Sequence, residues 1–188
     1  WKSVDEMVRD VKAKPGQIGF ASAGTGSPHA MAMELFRTKA GLDMIHVPYR
    51  GGALSLQDVA AGQVPVTMTD YAGGGGLIKG GKVRPMAVAN AKRLPQLPDV
   101  PTFGELGYPE VLAEAFGALV VPAGTPPEVI DRLQRAAQAA VADPEVTAKL
   151  VDIGYEPVGG TAQELSAMLA KDIPRWHALI KQLGISLD

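Results

Sequence analysis

Apolar positions recur along this chain with two different periods. In "SVDEMVRDVKAKPG" the apolar Val4, Met7, Val8 and Val11 fall at helical spacing after Ser3, a residue suited to cap a helix start, and a Pro-Gly pair ends the run. "QIGFAS" then reads as a short buried strand. "SPHAMAMELFRTKAG" returns to helix, with Ser27 as cap, Pro28 at the first position and Gly41 as stop. "MIHVPY" predicts a second strand, "GGALSLQDVAAGQ" a short helix starting near Ala53 and "VPVTMTD" a third strand. "GGGGLIKGGK" predicts a loop with one helical turn, and "VRPMAVAN" a fourth strand. Alternation of short strands with crossovers of this length predicts parallel βαβ units, hence an α/β fold.

The segment "AKRLPQLPDVPTFGELGYP" breaks this rhythm, since its prolines deny it regular structure; Thr102 is placed to cap a turn in "TFGEL". "AFGALVVPAGTP" predicts a fifth strand. Everything after it reads as helix: one capped by Thr125 with Pro126 first, one by Asp143 with Pro144 first, and one by a Thr161–Glu164 capping box. The change near Phe116 predicts a boundary between residues 1–115, a lobe of βα units, and residues 116–188, one strand followed by helices. The face of Trp176, Leu179, Ile180 and Leu183 is expected to be helical core.

Composition narrows the functional classes. The 188 residues carry a net charge of −2, so there is no basic field for nucleic acid. The absence of cysteine excludes disulfides, thiolate metal sites and a thiol nucleophile. No apolar run approaches the ~18 residues of a membrane span, and Trp1 does not open a signal peptide. The abrupt start is expected of a sequence that enters partway through a longer protein. His29, His46 and His177 lack ligand spacing, so no metal site is expected, and no cofactor is implied.

The chemistry concentrates in "FASAGTGSPHA", where a strand must turn into a helix with almost no side chain. The loop is not a P-loop, because no Gly-Lys-Ser/Thr triplet follows. It is not a dinucleotide fingerprint, because His29 stands where the third glycine belongs, and Ser22 and Ser27 fail the spacing of a nucleophile elbow. What is left is either a tight βα turn with an ordinary cap or an anion site at a helix N-terminus, with Thr25 and Ser27 adding hydroxyls. In the second case the glycines let a carboxylate reach the backbone N–H groups, and a side chain at Gly24 or Gly26 fills that space.

"HVPYRGGALSL" repeats the arrangement after the next strand. Pro48 fixes the loop, Tyr49 offers a phenol, Arg50 pairs with an anion or points to solvent, and Gly51 and Gly52 precede the helix. Asp70, at the third strand end, is best read as a cap; the other roles open to it are orienting loop amides or binding a ligand amine. A parallel sheet puts all these strand ends on one edge. No acid–base pair or supported nucleophile emerges, so the site is read as one that holds without transforming.

The ordered motifs "FASAGTGSPH", "HVPYRGG", "LQDVAAGQV", "GKVRPMAV", "RLPQLPDVPT" and "VVPAGTP" resemble the tripartite tricarboxylate transporter family of solute-binding receptors, also called Bug receptors. The resemblance covers essentially the whole chain, and the chain looks like the second two-thirds of such a protein. It implies a periplasmic-binding-protein-like (type II) two-lobe α/β architecture with parallel-rich sheets, one lobe near complete and the other partial. It also implies a periplasmic location, a small carboxylate ligand and membrane permease subunits as partners.

On the same basis Ala23, Gly24, Thr25, Gly26 and Ser27 match one carboxylate-binding motif, and Pro48, Tyr49, Arg50 and Gly51 a second. Asp70 matches an acidic residue lining the cleft, and Phe116 and Gly117 the crossing to the first lobe. That lobe's opening strand and its anion loop are expected before Trp1. A ligand-sensing module for a signalling partner is the alternative, and an α/β enzyme acting on a carboxylate or phosphate substrate is disfavoured. The lone fifth strand and its bare helices are expected to make the 188-residue chain self-associate.

Overall fold

The computed structural model describes residues 1–186. Its elements run α1 (Val4–Ala13), β1 (Gly19–Ser22), α2 (Pro28–Ala40), β2 (Ile45–Pro48), α3 (Gly52–Ala60), α4 (Tyr71–Lys79), α5 (Pro127–Ala142), α6 (Pro144–Asp152) and α7 (Ala162–Leu183). The described residues fall into two compact units, Trp1–Ala115 and Phe116–Ser186. Among the described residues no helix is long and apolar enough to cross a membrane.

In the first unit β1 and β2 pair in parallel, with Gly19 opposite Ile45 and Ser22 opposite Pro48. The expected third strand contributes a single parallel bridge, Ala21 to Thr67, on the other side of β1. There the Ala21 amide donates to the Val66 carbonyl at 2.9 Å. The expected fourth strand likewise shrinks to one bridge, Val88 to Thr102. Pro65 and Pro85 each lack the N–H that a ladder needs, which cuts both pairings short.

Helix starts follow local chemistry. Ser3 accepts from the Glu6 amide and Ser27 from the Ala30 amide, while Gly41 closes α2 in the left-handed conformation. Helix α2 is buried nearly all round from Ala30 to Phe36, and Phe36 meets Phe103 (centroids 4.6 Å apart) and, edge-on, Tyr108 (5.4 Å). The proline-rich segment is therefore anchored on α2 by its two aromatics.

The same segment is locked internally. Arg93 donates to both Glu105 oxygens, at 2.8–3.1 Å, and to the Pro98 carbonyl, while Glu105 also accepts from the Thr102 amide at 2.7 Å. The Arg93 guanidinium, with the Thr102 amide behind it, holds the Glu105 carboxyl down at about 2, against an ordinary 4.5. A depressed folded-state value means that this contribution is fully present above 4.5 and is lost as pH falls towards 2. Glu105→Gln is expected to speed hydrogen exchange at the Thr102 and Val88 amides while leaving the global melting temperature nearly unchanged. Unaltered exchange at Thr102 would show the lock to be inert.

The second unit departs further from expectation. Residues 117–121 form no strand, and Leu119 and Val120 are 63% and 80% exposed. A strand needs a paired neighbour for its N–H and C=O groups, and the described residues of this unit supply none. Helix α5 starts at Pro127 with Pro126 as its cap residue, and Thr125 instead donates to the Pro122 carbonyl. Asp143 and the Thr161–Glu164 capping box start α6 and α7 as their spacing predicts. Neither α5 nor α6 buries a residue, and of the expected α7 face only Leu179 is buried.

Candidate functional site

The strand ends of the first unit meet at one place. β1 runs into the loop 23–27, whose turns need glycine: Gly24 has φ 123° and Gly26 φ 74°, regions that side-chain-bearing residues rarely adopt. A side chain here would thus strain the backbone as well as fill space, which the sequence does not reveal. Gly24 also lies close against the second loop, where an added Cβ would sit 3.4 Å from the Tyr49 carbonyl oxygen. Gly51, at φ 118°, turns that second loop into α3.

Three helix N-termini converge here, and they are not equivalent. Ser27 caps α2 by accepting from the Ala30 amide at 3.2 Å, and Thr25 is exposed beside it. Asp70 caps α4 by accepting from the Gly73 amide at 2.6 Å. Helix α3 starts on Gly51 and has no side-chain cap, so its first amides hold no such acceptor. Helix α4 itself is a full helix where a loop with a single turn was expected. The Asp70 cap starts it, and glycines admit its close neighbours: an added Cβ would lie 3.0 Å from Thr69 at Gly74 and 3.0 Å from the Tyr71 ring at Gly75.

The other candidates resolve into distinct roles. Pro48 closes β2 opposite Ser22, and Ala23 is half-buried. The Tyr49 hydroxyl donates to Asp58 at 2.7 Å, and that bond raises the phenol above its ordinary range. Its proton is committed to α3, so Tyr49 fixes the loop and leaves no free donor for a ligand. Arg50 is exposed.

The second oxygen of Asp70 lies 3.3 Å from His29 Nε2, and His29 sits against α3, with its ring 3.6 Å from where a Gly52 Cβ would be. Metal-ligand spacing does not reveal the role of His29. Its place in the first turn of α2, directly after the glycine loop, was the signal available.

His46 faces inward. It stacks on Phe20 (centroids 4.8 Å apart, planes 11° apart), and its Nε2 is 2.6 Å from the fully buried Ser22 hydroxyl. Burial, above all, pushes the imidazole below its ordinary range. Among the described residues no group of His, Asp and Glu side chains is arranged to hold a metal ion.

Residues 1–185 match the family model described as "Tripartite tricarboxylate transporter family receptor". The chain belongs to that family. It is 31% identical over 189 residues to the UPF0065 protein in the tcbD-tcbE intergenic region of Pseudomonas sp. strain P51, covering 100% of this chain and 56% of that protein. Among solved structures it is similar to R. palustris Rpa4515 with adipate, at 32% identity and a TM-score of 0.90, covering 99% of this chain and 62% of that one. It is also similar to the periplasmic binding protein BugD, at 28% identity and a TM-score of 0.81, covering 99% and 63%. The chain thus has the α/β fold of the periplasmic solute-binding receptors and spans rather more than half the length of the relatives it matches. The family is one of transporter receptors, and BugD is a periplasmic binding protein.

Proposed function

We propose that this chain supplies one half-site of a receptor that captures a small carboxylate in the periplasm and delivers it to the membrane permease of a tripartite tricarboxylate-type transporter. One observation carries the reading. The helix without its own cap, α3, opens onto a loop whose glycines keep the backbone bare. A carboxylate oxygen placed there accepts the N–H bonds that Ser27 and Asp70 take at the other two helices, and the charge roughly doubles the strength of each. Thr25 and Ser27 stand beside it as hydroxyl donors. Asp70 serves as cap and as the partner that orients His29. The adipate bound by a structural relative makes dicarboxylates the first probes.

The test is a thermal-shift titration of the full-length protein with adipate and shorter and longer dicarboxylates. Binding adds ~2.7 kcal/mol of stability at a hundredfold excess over Kd. A flat response across the series, backed by calorimetry without heat, would overturn the reading.

Arg50 refines it. Exposed as it is, it serves at the rim, and Arg50→Ala is expected to cost under ~1 kcal/mol of binding, fading with salt. A loss above ~2 kcal/mol would instead make it a direct partner of the carboxylate.

A further inference from the structure

Ser22 joins the two loops of the half-site. Its backbone carbonyl accepts from the Tyr49 amide at 3.0 Å, while its hydroxyl accepts from the Gly24 amide at 3.2 Å and lies 3.3 Å from the Gly24 carbonyl oxygen. The shortest contact of that hydroxyl is with His46 Nε2, at 2.6 Å. Ser22 is 0% exposed, so it cannot touch a ligand; it acts on the loop alone.

We propose that Ser22 and His46 form a positioning pair that sets the Gly24 backbone for carboxylate capture, and that protonation of His46 loosens this setting. The inference rests on the carboxylate reading above for its function, but not for its geometry.

The chemistry follows from donor and acceptor roles. With His46 neutral and Nε2 bare, the Ser22 hydroxyl donates to Nε2 and turns its oxygen to the Gly24 N–H. A proton on Nε2 reverses the first bond. The Ser22 oxygen then accepts from the imidazolium as well as from the Gly24 amide, and its hydrogen turns to the Gly24 carbonyl oxygen 3.3 Å away. No longer polarised by donating to the ring, the oxygen holds the amide less strongly.

The surroundings favour the neutral form. Phe20 stacks on the ring, and β1 and residues 66–67 carry no charged side chain. From α2, Glu34 draws the proton and Arg37 repels it, but these two are paired with each other. Burial outweighs both, so His46 binds a proton only when pH has fallen below the ordinary histidine value of 6.5. A depressed histidine value also means that the stabilisation is present above 6.5 and is lost as pH falls below it.

The experiment uses full-length protein, adipate titrated by calorimetry at about pH 7.5 and about pH 5, and the Gly24 amide followed by NMR across the same range. Wild-type affinity is expected to fall about tenfold on acidification, with the Gly24 amide shifting at the midpoint of the His46 ring. Ser22→Ala and His46→Leu are each expected to bind about tenfold more weakly at about pH 7.5. His46→Gln restores an uncharged partner, so it should recover most of the loss in His46→Leu and abolish the acid-dependent fall.

Undiminished binding by Ser22→Ala overturns the proposal. So does an acid-dependent fall that persists in His46→Gln, or a Gly24 amide indifferent to the His46 titration. If wild type binds no dicarboxylate at all, the carboxylate reading fails. The Gly24 amide then still decides for or against the positioning pair. Should Ser22→Ala fail to fold, the His46→Gln and Gly24 measurements decide alone.

Discussion

Gly26→Val is expected to abolish adipate capture and to lower the melting temperature by several degrees. Two effects act together. Gly26 holds φ at 74°, where a β-branched side chain costs ~1–3 kcal/mol of backbone strain. On the proposed reading, the same side chain at this exposed turn also takes up space that a carboxylate needs. Gly26→Asn separates the two effects, because asparagine tolerates the left-handed conformation far better than valine does. The asparagine variant should melt close to wild type yet bind adipate at least tenfold more weakly, a loss of about 1.4 kcal/mol. Full affinity in a well-folded Gly26→Asn protein would remove this loop from the ligand's surroundings.

The second large effect concerns the 188-residue chain studied by itself, which is expected to self-associate. Phe116, Leu119, Val120, Val129, Leu133, Val151 and Val158 are all exposed, within one small unit whose described helices bury almost nothing. Exposed apolar side chains in this number recruit other chains. Light scattering should report dimers or larger species, and a dye that fluoresces on apolar surfaces should bind strongly. Charged substitutions such as Leu133→Glu and Val129→Lys should restore the monomer. A monomer that binds no dye at high concentration would refute the expectation.

What could be read from the sequence divides along a physical line. Caps at Ser3, Ser27, Asp143 and Thr161 were legible because a side chain and an amide two or three residues away decide them. The convergence of the loops after β1 and β2 was legible because parallel strands have only one carboxyl edge. Strandhood at residues 64–70, 83–90 and 117–121 was not, because a strand exists only where a partner meets it, and hydrophobicity alone names no partner. The Thr-Pro-Pro stretch offers two starting prolines that local spacing cannot choose between, so the cap that spacing suggests at Thr125 lies at Pro126 instead. The glycine run Gly73–Gly76 looked like a loop by propensity; close packing against Thr69 and Tyr71 overrode it. The roles of Ser22, His29 and His46 depend on contacts 24 to 41 positions apart in the chain, which no local motif encodes.

Every residue of the proposed half-site comes from one uninterrupted stretch, Ser22 to Gly73, with its own turns, caps and tethers inside it. Such a stretch can pass between relatives as a cassette. Recombination within the family would carry the hydrogen-bonding geometry whole, and the borders of the graft would fall outside it. On the proposed reading, this half's contribution to ligand preference can then change by exchange of one segment.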